Sequence, residues 1–339
     1  MESYGAEQDA HQIIKESAAT QFFDLNMGPH DALFSLIPTR DLVQLSQTSS
    51  RIHARVNDVC FNITRLLCRF FGDSDGVAQF RQMQRSTGTL VSGSTALQFL
   101  NRLTWRDTDL DVYVTRGSAP AAACFIVDHG YSFQSRKSQN PYIDDQLDAS
   151  ASYRTPSYLG RGIADVLDFH KGDNKIQLIV ASTDPMETIM SFHTTCVMNV
   201  ITHDKALSLY PRSTFVTNEA LVVETAGAGQ EAGRQKYADR GWTLIHTMSA
   251  SRNSELGVRV RRSVGDRFTW TISLPPLPAD PLKKADFILS CEWELDCDGA
   301  KIFTAMIPHN RNGCSASWIA SSTCLFFAIA AFIIVQLLR

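Results

Sequence analysis

The chain has 339 residues, of which 44% are hydrophobic and 20% charged, and its formal net charge is −3. That length suffices for two domains or one large domain with appendages, and the composition is that of a globular protein with a real core. The near-neutral balance excludes a global basic field, so there is no strong nucleic-acid signal and any basic surface has to be local. Residues 1–30 hold no basic stretch followed by an apolar run; they read as a flexible N-terminus without a secretory signal. The eight cysteines include no Cys-x-x-Cys pair, and no His pair at metal spacing accompanies them. This excludes a zinc module and fits reduced thiols in a cytosolic or nuclear compartment. Asn62-Ile63-Thr64 matches a glycosylation sequon, which without a signal peptide is a coincidence of sequence.

From Asp41 onward Leu42, Leu45, Ile52, Val56, Val59, Ile63, Leu66 and Phe70 recur at helical spacing. The cluster Thr48-Ser49-Ser50 divides the run into two helices, and Asp41 can cap the first through its side-chain oxygen. Ahead of them lies the apolar turn ALFSLIP, which ends at Pro38. On these residues the segment resembles an F-box, which pairs a short apolar stretch ending in Pro with a helix of the kind DLVQLSQTSSRIHARV. Leu36-Ile37-Pro38 stands where that motif carries Leu-Pro. The resemblance covers roughly 31–57. It implies a helical segment over 31–71 that docks the small adaptor of a cullin-type ubiquitin ligase, with Leu36, Pro38, Leu42 and Leu45 as contacts. The alternative is an amphipathic helical pair packed onto the domain that follows.

Residues 89–114, TLVSGSTALQFLNRLTWRDTDLDVYV, are the most informative. A short β-prone run precedes the turn Ser92-Gly93-Ser94, and Leu97, Leu100 and Leu103 then recur at helical spacing. Leu110, Val112 and Val114 alternate with Asp109, Asp111 and Tyr113, so both aspartates belong to one strand face. Two carboxylates so placed can share a pair of divalent ions, Mg or Mn, that hold a nucleoside triphosphate and activate a hydroxyl. The Gly93-Ser94 turn at a helix start offers backbone N–H groups to phosphates. A Gly-Ser turn followed by Asp-x-Asp on a strand resembles the nucleotidyltransferase superfamily. The resemblance implies a mixed sheet over 72–242, metal-binding and catalytic roles for Asp109 and Asp111, and triphosphate binding at Gly93 and Ser94.

That superfamily also needs a third carboxylate on a neighbouring strand. ADVLDFHKGDNKIQLIV reads as a hairpin turning at Lys171-Gly172-Asp173-Asn174, and the position on its second strand is Gln177. An amide brings no negative charge, so the metal site is expected to be weakened. Asp165 and Asp168 lie on the preceding strand, where the superfamily's pattern gives them no role.

Further along, Met186 to Phe192 is expected to be a short helix, SFHTTCVMNVIT a strand, and ALSLYPRSTF another strand and turn, with His193 structural. The succession resembles fungal proteins that join an F-box-like start to a degenerate nucleotidyltransferase-like sheet, over roughly Asp31 to Trp242. QEAGRQKYADRGW is a helix stopped by Gly241, with Lys236 and Arg240 on a solvated face. Residues 243–310 form a β-hairpin region: GVRVRRSVGDRFTWTISL turns at Gly265-Asp266, and ILSCEWELDCDGAKIFTAMI turns across Cys297-Asp298-Gly299. Arg259, Arg261 and Trp270 read there as an exposed strand rather than as an RNA-stacking platform. The uncharged run 318–338 would make a helix about 30 Å long. We expect a transmembrane tail anchor that holds a cytosolic body on an intracellular membrane.

The expected fold class is thus α+β: a helical N-terminal region, a nucleotidyltransferase-like mixed sheet with flanking helices, C-terminal β-hairpins and an apolar C-terminal helix. Three functions compete. The first is an F-box-like scaffold or substrate-recognition protein with a weakened metal site. The second is an active metal-dependent nucleotidyltransferase, and the third a pseudoenzyme that binds nucleotide without transferring it.

Overall fold

A computed structural model describes residues 34, 36–46, 48–105, 108–151, 162–223, 229–247, 256–277, 288, 291–298 and 301–307. The run 318–338 lies outside the described residues. Among the described residues no helix is long and apolar enough to cross a membrane.

The N-terminal stripe folds as helices α1 (Thr39–Ser46), α2 (Ser50–Cys60) and α3 (Ile63–Phe71), followed by α4 (Ser74–Thr87). Each of the last three starts where a side chain takes up orphan backbone N–H groups. Ser49 accepts from Ile52 at 3.2 Å, Asn62 from Arg65 at 2.9 Å, and Asp73 from Asp75 and Gly76 at 3.1 and 2.9 Å. Asn62 is therefore a helix cap, which explains its place in the sequence without glycosylation. The apolar stripe faces inward: Leu42, Val56, Ile63, Leu67 and Phe80 are buried, and the Phe71 and Phe80 rings stack 4.4 Å apart.

The main sheet has eight strands in the order β11-β7-β6-β1-β2-β5-β4-β3. They are β1 (Leu90–Ser92), β2 (Leu110–Thr115), β3 (Ser132–Gln134), β4 (Ile163–Lys171), β5 (Asn174–Ala181), β6 (Asn199–Ile201), β7 (Lys205–Ser208) and β11 (Trp270–Ser273). The pair β2–β5 is parallel and the other neighbours are antiparallel, so the protein is α+β with a mixed sheet. Both faces are covered, and the strand alternation shows it. Leu110, Val112 and Val114 join the core under the N-terminal helices, α5 (Gly93–Asn101) and α6 (Ala119–Asp128). Tyr113 and Ile179 face the second core, which α8 (Pro185–Met190) shares with Trp293 and Leu295. Helix α7 (Ile143–Ala151) lies between β3 and β4 in the chain.

The expected hairpin at 164–180 is present, with Lys171 paired to Asn174. The hairpin at Gly265-Asp266 is not: β10 (Arg261–Ser263) pairs with β12 (Glu292–Asp298), whereas β11 pairs with β7. Arg262 separates them, because its guanidinium is buried and held by Asp266 and by the carbonyls of Leu209 and Leu256. Asp266, on the turn that would join two hairpin strands, is thereby committed to Arg262. β11 closes one edge of the main sheet. The hairpin of β12 with β13 (Lys301–Ile307) forms as expected, with Asp298 opposite Lys301. The expected strand around Cys196 is a short 3-10 turn, Thr195–Val197, before β6. A two-stranded parallel pair, β8 (Glu219–Leu221) with β9 (Thr243–Ile245), flanks helix α9 (Gln230–Asp239).

Candidate functional site

The end of β1 and the start of α5 set the site. Ser92 pairs with Asp111 across β1–β2, and its hydroxyl donates to the Asn199 carbonyl at 2.6 Å. Gly93 takes a φ of +68°, and a Cβ there would stand 2.5 Å from the Asp111 Oδ2. Glycine is required on both counts, since it tolerates the left-handed region and leaves room for the carboxylate beside the helix start. The Thr95 hydroxyl donates to the Asp109 carbonyl at 2.7 Å, and the Gln98 side chain accepts from the Trp105 N–H at 2.6 Å. These bonds tie α5 to the loop that delivers Asp109, one residue ahead of β2. Ser94 is buried in the first turn of α5.

Asp111, Gln177 and Asp168 form one cross-strand row, because Gln177 is in register with Asp111 on one side and with Asp168 on the other. Asp109 and Lys175 continue it: the Lys175 ammonium lies 3.2 Å from Asp109 and 3.4 Å from Asp168. Gln177 Nε2 donates to Asp168 at 2.7 Å, and Arg136 Nε donates to the other oxygen of that carboxylate at 2.9 Å. Burial alone would raise the Asp168 carboxyl; the hydrogen bonds from Arg136 and Gln177, with the Arg136 and Lys175 charges, bring it below the usual range. Asp165 is turned away into a separate network, where it accepts from Gln139, Gln146 and Ser150.

Asp111 behaves differently. Burial, and then the neighbouring Asp109 charge, push its carboxyl up to about 7, against the pull of Lys236 and Lys175. Lys236, expected on a solvated face, is exposed, yet its charge acts on Asp111. It belongs to α9, and burial and then Arg240 lower its pKa while Asp111 and Asp109 oppose the shift. Arg240 stacks 3.9 Å over the Trp105 ring, so α9 is clamped against the loop that carries Asp109. The Lys236–Arg240 spacing signals the solvated face but not this electrostatic proximity to the carboxylates. His193 packs against α9: a Cβ on Gly233 would stand 2.5 Å from its Nε2, and its ring lies 5.8 Å from that of Tyr237.

The donor set does not fit a pair of divalent ions. Only Asp109 and Asp111 stand where the expected ligands belong, and an ammonium already neutralises Asp109 from 3.2 Å. The third position is an amide that spends its N–H on Asp168. Among the described residues no group of three or more His, Cys, Asp or Glu side chains is arranged to hold a metal. A divalent ion at Asp109 would have to compete with the Lys175 ammonium for the same carboxylate.

The residues expected to bind a partner separate into two groups. Leu36 is 80% exposed and Pro38 is exposed, whereas Leu42 is fully buried in the main core and Leu45 packs against it. Leu42 is a core residue of this protein and not a contact surface.

No family model, curated protein or solved structure matches the chain.

Proposed function

We propose that the protein is a non-catalytic scaffold or recognition module built on a nucleotidyltransferase-like sheet. The observation that carries this reading is the Lys175 ammonium, within salt-bridge distance of both Asp109 and Asp168. It supplies, as a permanent part of the chain, the positive charge that a catalytic centre of that type borrows from metal ions. The order β1, helix, β2, with the parallel β5 beside it, supports the nucleotidyltransferase-like assignment. The Gly-Ser helix start and the Asp109-x-Asp111 pair support it as well. On this reading Gln177 fixes Asp168 and takes no part in chemistry.

Within the scaffold, the F-box-like segment would meet a cullin-ligase adaptor through the exposed Leu36 and Pro38, while Leu42 and Leu45 fasten it to the body. The run 318–338 would hold that body at an intracellular membrane. A nucleotide-binding pseudoenzyme is the second reading, favoured by the Lys236 charge acting on Asp111 and Asp109.

Pyrophosphate release from each nucleoside triphosphate, with Mg or Mn, tests the proposal. The wild-type chain is expected to release none. Release that Asp109→Ala abolishes would overturn the reading in favour of an active transferase. Calorimetric titration with the same nucleotides separates the scaffold from the pseudoenzyme.

A further inference from the structure

The small sheet has the order β10-β12-β13, and among the described residues no strand lies on the outer side of β13. The other edge strands of the two larger sheets are short. β3 and β10 have three residues and β11 has four, whereas β13 has seven. A short edge resists pairing with another chain, and a long one is a template for it. The sequence of β13, KIFTAMI, holds no proline and no acidic residue, and its one charge, Lys301, is at the first position.

The direction of the main-chain groups along this edge follows from the neighbouring strand. The Leu295 carbonyl of β12 accepts from the Arg259 N–H at 2.7 Å, so it points away from β13. In an antiparallel ladder hydrogen-bonded and non-hydrogen-bonded pairs alternate, and each residue turns its N–H and C=O to the same side. Leu295 is in register with Thr304. Thr304 therefore belongs to a non-hydrogen-bonded pair, and its N–H and C=O point outward. Ile302 and Met306, two positions to either side, turn theirs the same way.

The three outward residues are centred on Thr304. A second strand of the same sequence, laid antiparallel about that centre, sets Thr304 against Thr304, Ile302 against Met306 and Phe303 against Ala305. Every outward group of the three then has a partner, about six main-chain hydrogen bonds in all. Thr opposite Thr is a favourable cross-strand pair. Lys301 falls opposite Ile307, which leaves the two lysines about 20 Å apart at opposite ends of the pairing. The register that satisfies the edge is thus the one a two-fold axis generates, and that is the condition for a closed dimer.

We propose that β13 is a self-association surface whose occupant is the β13 strand of a second copy of this chain, antiparallel and centred on Thr304. The small sheets of the two copies then run on as one sheet across the axis. This inference is independent of the carboxylate row and of the function proposed for it.

Sedimentation velocity on the full chain in dodecyl maltoside, over a range of concentrations, tests this. Wild-type protein is expected to pass from one to two chains per particle as concentration rises. Thr304→Pro removes the outward N–H at the axis and no bond to β12. It should raise the midpoint of association about tenfold or more and leave the melting temperature in place. Cysteine substitutions read the register even where the proline variant unfolds. Oxidised Thr304→Cys should give a disulfide-linked dimer above the wild-type background, because a Cα separation of about 5.5 Å suits the bond, and oxidised Lys301→Cys should not. A wild-type chain that stays single, association unchanged in a folded Thr304→Pro variant, or equal cross-linking from positions 304 and 301 would overturn the proposal.

Discussion

Gln177 stands in register with Asp111 across the parallel β2–β5 pair, and its amide nitrogen is committed to the Asp168 carboxylate at 2.7 Å. The row therefore joins a carboxylate with a raised pKa to one with a lowered pKa through a neutral side chain. Lys175 lies beside it as the fixed counter-charge. Gln177→Glu combined with Lys175→Ala would return a third carboxylate and remove the resident cation. We expect that double variant to bind Mn about tenfold or more tighter than wild type, as read by calorimetry. Unchanged Mn affinity would show that Lys175 and Gln177 are not what weakens the site.

Lys175→Ala alone leaves Asp109 and Asp168 without their shared partner. Both ion pairs are partly exposed, so the expected loss is about 1–2 kcal/mol rather than the larger figure for a fully buried pair. Urea denaturation at neutral pH measures it, and a loss below about 0.3 kcal/mol would mean that solvent screens the lysine.

Asp111 makes stability depend on pH in a direction opposite to the usual carboxylate. Its folded-state pKa is raised to about 7, so between about 4 and 7 the folded chain binds more protons than the unfolded one. Its contribution is favourable at low pH and is lost as pH rises through 7. Asp111→Asn should flatten melting temperature against pH over that window, and should be more stable than wild type above pH 7. A parallel pair of curves would place the ionisation elsewhere.

Gly93→Ala should cost about 1–2 kcal/mol, since the residue sits at a φ of +68° and its Cβ would press on Asp111. Part of the cost is that contact, so adding Asp111→Ala should recover some of it. Strict additivity of the two substitutions in thermal unfolding would contradict the close approach.

Leu42→Asp should destabilise the fold by about 3 kcal/mol or more, because a charge would enter the main core. Leu36→Asp, at an 80% exposed position, should change stability by no more than about 0.5 kcal/mol. It is therefore the informative variant for adaptor docking. If Leu36→Asp unfolds the protein, or fails to reduce co-purification with an adaptor that the wild type retains, the docking surface lies elsewhere.

The sequence alone determined those features that depend on local periodicity and turn chemistry. The helical stripe from Leu42 to Phe70, its break at Ser49, the helix start at Gly93, the alternation through Asp111 and the hairpin at Gly172 all follow from spacing or from residues with particular backbone preferences. Tertiary structure decided what those elements face. The Lys236–Arg240 spacing marks a solvated face, and Lys236 is exposed there; only tertiary packing, with Arg240 over Trp105, brings the Lys236 charge to act on Asp111 and Asp109. Likewise Gly265-Asp266 carries a hairpin signal, yet burying Arg262 required Asp266 as its partner and sent β10 and β11 to different sheets. Lys175 is two residues from Gln177 in sequence, but its ion pairs reach Asp109 on one neighbouring strand segment and Asp168 on another. Such contacts arise from strand order, and strand order is a long-range property that no local pattern encodes.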